Sequence, residues 1–340
     1  MMNKIRIAQI GMSETSHAEP VFRTLMSRPD VFEIVGCADV DRHAKEIAAC
    51  YRQYPIMTVD ELLSLPRLDA VAVECDETLQ THYALEVARR GLPMHLEKPG
   101  SESDADFDAL IDIAQEKNLL IHTGYMYRYN PCLQRAMDIV REGKLGKVYS
   151  IEAQMDCIHV PAMRDWFSTF RGGVMYYLGC HLVDLILQIQ GEPLKVTPLN
   201  RPVEPDRHPG NDFGMALFEY PDGVSFAKTC AVEPGGYMRR QLVICGTRGT
   251  IELKPFEAPA KGPFMLTTGM NEWYLPKGAD SLPWGDAGLH AVSAPFNRYE
   301  AMLLSFAQMV RGEKMNPWSL DYERRLHKYV LKACGFTDVQ

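Results

Sequence analysis

The chain has 340 residues, 46% of them apolar and 24% charged, with a formal net charge of -8 and a pI near 5.7. That length suits two domains rather than one, and the acidic balance argues against nucleic acid or an anionic membrane as the main partner. No basic segment followed by an apolar core opens the chain and no apolar run reaches about 18 residues, and the nine cysteines lack C-x-x-C spacing. A cytoplasmic protein with reduced thiols is therefore expected, without a membrane span, a disulfide framework or a structural zinc site.

Taken in order, residues 4–10 (KIRIAQI) alternate and close on Gly11, which predicts a buried strand and a tight turn. Pro20 suits the first turn of a helix reaching Ser27. Residues 32–38 read as a second strand ending at Asp39. Residues 41–51 have helical composition, 59–65 form a short helix and 70–74 a third strand. Residues 79–90 are a helix stopped by Gly91, and 94–96 a strand. Ser103 with Asp106 resembles a capping box for a helix to Lys117, and 119–122 are one more strand. Strands and helices that alternate through short connections to about Thr123 predict an α/β domain with a parallel, doubly wound sheet.

After Thr123 the pattern changes. Residues 131–142 are a helix ended by Gly143. Residues 147–156, 213–220, 224–231 and 241–245 alternate as strands, with Pro221-Asp222-Gly223 and Gly246-Thr247-Arg248-Gly249 as turns. Residues 257–290 are rich in Gly and Pro and are expected to be irregular, and 297–311 and 322–334 are helical. This is an α+β composition with a largely antiparallel sheet.

Two stretches carry chemistry. In Met94-His95-Leu96-Glu97-Lys98-Pro99 a short apolar run leads into an acid, a base and a proline. Ligands of doubly wound sheets bind outside the carboxyl ends of the strands, which would put Lys98 at the mouth of a cleft; a solvated strand end is the plainer reading. In residues 172–184, two glycines open a helix on which Tyr177, His181 and Asp184 fall at i, i+4 and i+7, on one face. A phenol, an imidazole and a carboxylate there form a candidate acid/base array, histidine being suited to move a proton near neutral pH. The alternative is a buried, hydrogen-bonded histidine with Tyr177 as packing. The turn after the first strand, Gly11-Met12-Ser13-Glu14-Thr15-Ser16, keeps the first glycine of a dinucleotide fingerprint and has serines in the other two places. Asp39 stands where an acid can bind a ribose 2′-hydroxyl and repel a 2′-phosphate, which favours NAD over NADP. No H-x-x-x-H or H-E-x-x-H spacing exists, so no metal is expected.

These pieces, with Gly124-Tyr125-Met126-Tyr127-Arg128-Tyr129-Asn130-Pro131 and Gly246-Thr247-Arg248-Gly249-Thr250, resemble the glucose–fructose oxidoreductase/inositol dehydrogenase (Gfo/Idh/MocA) family over nearly the whole chain. The resemblance implies a Rossmann domain, residues 1–123, and an α+β substrate-binding domain, 124–340. Its open sheet packs against another subunit in relatives, which implies a homodimer or homotetramer. It implies NAD-dependent hydride transfer to or from a carbinol of a sugar or polyol, with Lys98 and His181 as the catalytic lysine and histidine. The cofactor contacts expected on this basis are Gly11, Met12, Ser13, Asp39, Cys75, Asp76, Gln80, Glu97 and Lys98. Substrate contacts are expected at Tyr125, Arg128, Asp184 and the Arg164-Asp165-Trp166 segment, for which a plain surface loop is the alternative.

Three departures stand out. The glycine turn is reduced. Many relatives have Thr-Pro-Asn where Cys75-Asp76-Glu77 stands, which sets two acids near an anionic pyrophosphate, each costing on the order of 1 kcal/mol. Tyr177 replaces an aspartate and, with a pKa near 10, cannot be the negative partner of an imidazolium. They motivate a second expectation: a relative that binds a sugar without redox turnover, or holds NAD permanently for lyase- or hydrolase-type chemistry.

Overall fold

The computed structural model describes residues 3–41, 48–262, 264–267, 269–337 and 339. The chain divides into two compact units. One comprises Met1–Tyr125 with Tyr299–Lys328, the other Met126–Arg298 with Tyr329–Val339.

The first unit is built on β1 (Ile5–Ile10), β2 (Phe32–Ala38), β3 (Ala70–Val73), β4 (Met94–Leu96) and β5 (Ile121–Thr123). They lie in the order β2-β1-β3-β4-β5 with every pairing parallel. A single parallel bridge, Cys37 with Ile56, extends the sheet beyond β2. Successive side chains alternate between two cores. Ile5, Ile7, Ala70 and Ala72 pack with Val21 and Leu25 of α1 (Ala18–Ser27) and with Leu303 and Phe306 of the helix Arg298–Val310. Ala8, Ile10, Val71 and Val73 face the other core, with Leu62 of α2 (Val59–Leu63), Val87 of α3 (Gln80–Arg89) and Leu110 of α4 (Asp104–Glu116). Ser103 caps α4, its hydroxyl accepting the Asp106 N–H at 3.2 Å.

A single cut after residue 123 misses the returning segment Tyr299–Lys328. Its apolar face supplies the partners of Ile5 and Ile7, a contact between positions some 300 apart that local patterning does not reveal. The helix expected over 41–51 falls largely on 42–47, outside the described residues; Tyr51–Gln53 is a 3-10 turn.

The second unit opens with α5 (Pro131–Arg141), capped by Asn130, whose side chain accepts the Cys132 and Leu133 amides. It then runs through β6 (Val148–Asp156), α6 (Pro161–Trp166), α7 (Cys180–Gln190), β7 (Lys195–Pro198), β8 (Phe213–Tyr220), β9 (Gly223–Cys230), β10 (Gln241–Gly246) and β11 (Gly249–Leu253). The remaining strands are β12 (Ala258–Pro259), β13 (Phe264–Leu266), β14 (Met270–Tyr274), β15 (Leu289–Ala291) and β16 (Phe296–Asn297). The main sheet has the order β15-β14-β11-β10-β6-β9-β8-β7. β6 and β9 are parallel and the other neighbours antiparallel. One face is buried through Ala153, Met155, Ala216, Phe218, Leu242 and Ile244; α7 packs on β6 and β9.

Two expectations are corrected here. Residues 257–290 are not one irregular excursion: they carry β12, β13 and β14, and β14 joins the main sheet with Trp273 opposite Thr250. Its polar Asn271 and Glu272 and the surrounding turn residues hide the strand from a hydrophobic pattern. Arg164-Asp165-Trp166 lies in α6, not in a loop, with Pro161 at the first helical position.

Candidate functional site

In a sheet of this order ligands bind at the carboxyl ends of the strands where the strand order reverses. That point lies between β1 and β3. β1 ends in Gly11 at φ +99°, where a Cβ would stand 2.3 Å from the Cys75 nitrogen. Glycine is required for the two strand ends to approach so closely. Asp41 ties them together, its carboxylate accepting the Met12 N–H at 2.5 Å and the Asp76 N–H at 2.7 Å. Burial raises the Asp41 pKa, opposed by those two amide bonds. The serines in the glycine places act as local caps. Ser13 Oγ lies 2.7 Å from Thr15 Oγ1. Ser16 Oγ donates to the Glu74 carbonyl at 3.0 Å and accepts the Ala18 N–H at 3.1 Å. Asp39 is exposed at the end of β2. Asp76 starts the turn into α3, accepting the Thr78 N–H at 3.1 Å, and Gln80 Oε1 accepts the Gly100 N–H at 3.2 Å.

β4 ends in Glu97 and Lys98, and Lys98 is fully buried. Lys98 Nζ is 3.4 Å from Glu97 Oε1, and His17 Nδ1 is 3.0 Å from the same oxygen. Burial pushes the Glu97 carboxyl up, but His17 and Lys98 outweigh it and hold it down at about 2. Glu74 and Glu77 are also buried, and neither carboxyl makes a hydrogen bond among the described residues. Burial, then the Glu97 charge, pushes Glu74 well above the usual carboxylate range. Burial does the same to Glu77 against the pull of Lys98. Glu97 thus carries the negative charge beside Lys98, while its two acid neighbours favour the neutral form. A buried cation with one close counter-charge is what desolvation allows. His95 Nε2 stands 3.3 Å from Glu74 Oε1, and its Nδ1 2.8 Å from His122 Nδ1. Burial lowers His95 to about 4. Cys75 and Tyr125 are buried in this unit as well.

In the second unit the expected substrate residues have protein partners. Arg128 Nε and Nη2 donate to Asp184 Oδ2 and Oδ1 at 2.9 and 2.8 Å, and Gln188 Nε2 donates to Asp184 Oδ2 at 2.9 Å. Arg164 donates to Asp212 and to Glu204, each at 2.8 Å. Asp165 Oδ1 lies 2.6 Å from His208 Nδ1. Trp166 packs edge-on against Tyr177, with ring centroids 5.3 Å apart. His181 is buried and edge-on to Tyr127 at 4.8 Å. The Tyr127 hydroxyl donates to Glu257 at 2.5 Å, and Glu257 also accepts from Arg240 and Arg298. Gly172 and Gly173, at φ +85° and +53°, turn the chain into Met175–Gly179, a π-helical turn ahead of α7. Such turns are frequent at functional sites.

Residues 5–125 match the family described as "Oxidoreductase family, NAD-binding Rossmann fold", and residues 133–252 that described as "GFO/IDH/MocA C-terminal domain". The chain belongs to the Gfo/Idh/MocA family. Oxidoreductase YhhX of Escherichia coli strain K12 is 26% identical over 212 residues, 62% of this chain and 60% of its own length. Oxidoreductase ORF334 of Rhizobium meliloti is 27% identical over 268 residues, 75% of this chain and 76% of its own. Trans-1,2-dihydrobenzene-1,2-diol dehydrogenase of Macaca fuscata fuscata is 24% identical over 259 residues, 73% of each. Among solved structures, UDP-N-acetylglucosamine 3-dehydrogenase GnnA from Acidithiobacillus ferrooxidans superposes with a TM-score of 0.76 at 18% identity, covering 98% of each chain. KijD10, a 3-ketoreductase from Actinomadura kijaniata in complex with NADP, gives 0.77 at 18% identity, covering 96% of each. Both share the fold of this Gfo/Idh/MocA member.

The family's dinucleotide fits the first turn, where Gly11 lets the ends of β1 and β3 approach closely, the two serines are small and Asp39 is accessible. The feared repulsion is reduced, because Glu77 favours its neutral form. Sequence reasoning missed His17, Asp41, Glu74 and Glu257 as members of these networks. It also passed over His159, whose ring lies 6.4 Å from Tyr177 and whose buried Nε2 has no partner among the described residues. No spacing rule links His17 to Glu97, 80 residues on; the sheet brings them together.

Proposed function

We propose that the chain is an NAD-dependent oxidoreductase moving a hydride between the nicotinamide and a carbinol carbon of a sugar, polyol or related diol. The fully buried Lys98 at the carboxyl end of β4, held by Glu97, carries this reading. Gly11, Met12, Ser13, Asp39, Cys75, Asp76, Gln80 and Glu97 are the proposed surroundings of the dinucleotide, with Asp39 on the adenosine ribose. When bound, the nicotinamide supplies the hydride acceptor or donor. Lys98 polarises the carbinol oxygen or takes up its proton, and His181 is the proposed base of the second unit. Tyr177 and Tyr125 are proposed to hydrogen-bond substrate oxygens, with Trp166 as an apolar face.

A dehydrogenase named for a dihydrodiol and a ketoreductase named for its NADP complex among the similar proteins support the class of reaction. The proposal extends to a cytoplasmic setting, given nine cysteines with no C-x-x-C spacing, and to a homodimer or homotetramer through the main sheet of the second unit. No described helix is long and apolar enough to cross a membrane. The test is titration of cofactor-stripped protein with NADH and NADPH, followed by a panel of sugars, polyols and diols. NADH-selective binding with turnover supports the reading, and a folded protein that binds neither refutes it. One observation favours the second reading, a member without exchangeable cofactor: the Asp41 carboxylate already accepts the Met12 and Asp76 amides just past the ends of β1 and β3.

A further inference from the structure

Glu97 Oε1 lies between two nitrogens, Lys98 Nζ at 3.4 Å and His17 Nδ1 at 3.0 Å. The side chains of Lys98 and Glu97 are 0% and 2% exposed, whereas that of His17 is 18% exposed. A buried proton donor needs a route to water, and here one oxygen joins the buried amine to an imidazole that reaches the surface. We propose that Glu97 and His17 are the path by which a proton taken up at Lys98 leaves for solvent. They act through Lys98 and not on substrate. The proposal rests on the reading of Lys98 given above.

The transfer balances as follows. The Lys98 ammonium gives a proton from Nζ to Glu97 Oε1, leaving a neutral amine and a carboxylic acid. Glu97 passes it to the lone pair of His17 Nδ1 and is a carboxylate again. The imidazolium releases the proton on Nε2 to water and ends neutral, in the other tautomer. No electron moves. A carboxyl held at about 2 keeps a proton in transit only.

The surroundings favour this exit over the inward branch. Glu97 is faced by His17 ahead of α1, by Glu74 and Glu77 after β3, and by His95 and Lys98 on its own strand end. His17 is faced by Glu97 and, at 5.7 Å ring to ring, by Tyr299 of the helix Arg298–Val310. The inward branch runs from Glu74 to His95 and His122, whose ring stacks on Phe306 at 5.3 Å, with His122 itself buried. It leads into the apolar core.

His17→Ala tests the path, because the His17 side chain makes no capping bond to α1. Oxidative turnover should fall about a hundredfold, with a shifted acidic limb of the pH–rate profile and an unchanged NADH dissociation constant. Added imidazole should restore the rate in proportion to its concentration. Wild-type turnover in His17→Ala, or a loss that imidazole leaves untouched, overturns the proposal. A second measurement needs no turnover: nitrogen-15 NMR of the His17 ring at one fixed pH. Its Nδ1 resonance should move in Glu97→Gln and in Lys98→Met, since each changes what the Glu97 oxygen presents to that nitrogen. An unmoved resonance in both variants overturns the coupling. If the wild type oxidises no compound of the panel, the functional reading fails, while the NMR comparison still decides whether the three groups are coupled.

Discussion

Arg128 and Asp184 were expected to meet a substrate, and their substitution separates that role from a structural one. Their side chains are 1% and 2% exposed and joined by two bonds of 2.8 and 2.9 Å. Arg128→Met leaves the Asp184 carboxylate buried without its arginine, with Gln188 among its partners. Removing one member of a buried ion pair costs about 3–5 kcal/mol. For a unit of this size that is a fall in Tm of roughly 6–20 °C. Replacing both, Arg128→Met with Asp184→Leu, removes the uncompensated negative charge and should recover most of the loss. It leaves the Gln188 amide short of one acceptor, worth about 1 kcal/mol. Urea unfolding of the wild type, both single variants and the double variant closes a thermodynamic cycle whose coupling term should exceed about 2 kcal/mol. A wild-type unfolding midpoint in Arg128→Met, together with a raised KM, would refute the structural assignment and return the arginine to the substrate.

Lys98→Met should lower turnover by at least about a hundredfold while NADH binding stays measurable by nicotinamide fluorescence; unchanged turnover removes Lys98 from the chemistry. Gly11→Ala places a methyl 2.3 Å from the Cys75 nitrogen at φ +99°, so thermal shift should show lost stability and fluorescence a lost NADH response. Asp39→Ser should raise NADPH affinity relative to NADH; an unchanged ratio takes Asp39 off the ribose. His95 sits at about 4 when folded, below its usual 6.5, because burial disfavours the imidazolium. The unfolded chain therefore binds more protons between pH 4 and 6.5, and stability should rise with pH across that window by roughly 3 kcal/mol. Comparing urea midpoints of wild type and His95→Gln at pH 4.5 and 7.5 checks it; equal differences at both values would show that His95 is not the group.

The parallel sheet and its helices were legible because each strand is a short apolar run bounded by turn residues, as in Phe32–Ala38 and Met94–Leu96. Gly11 and Lys98 were legible as positions, because strand ends in such sheets carry the chemistry. Their partners were not. His17, Asp41 and Glu74 reach the strand ends from separate elements, and nothing local distinguishes them from ordinary polar residues. Arg128, Asp184 and Arg164 were expected at a substrate by resemblance, and the counter-ions they find, Arg128 with Asp184 and Arg164 with Asp212, lie about 50 residues away in the sequence, where no local pattern shows them. β14 was missed because Asn271 and Glu272 interrupt its apolar pattern and its neighbours are turn formers.

The return of Tyr299–Lys328 to the first unit bears on how the protein is made. Leu303 and Phe306 complete the core that Ile5, Ile7 and Val21 begin. A ribosome adding about 5–20 residues per second reaches residue 328 some 10–40 s after residue 125. Throughout that interval the nascent amino-terminal unit has one sheet face without its final cover, while the second unit is already being synthesised. The first domain to emerge must thus wait to finish folding, and a chain cut after Arg298 would leave its sheet face without Leu303 and Phe306.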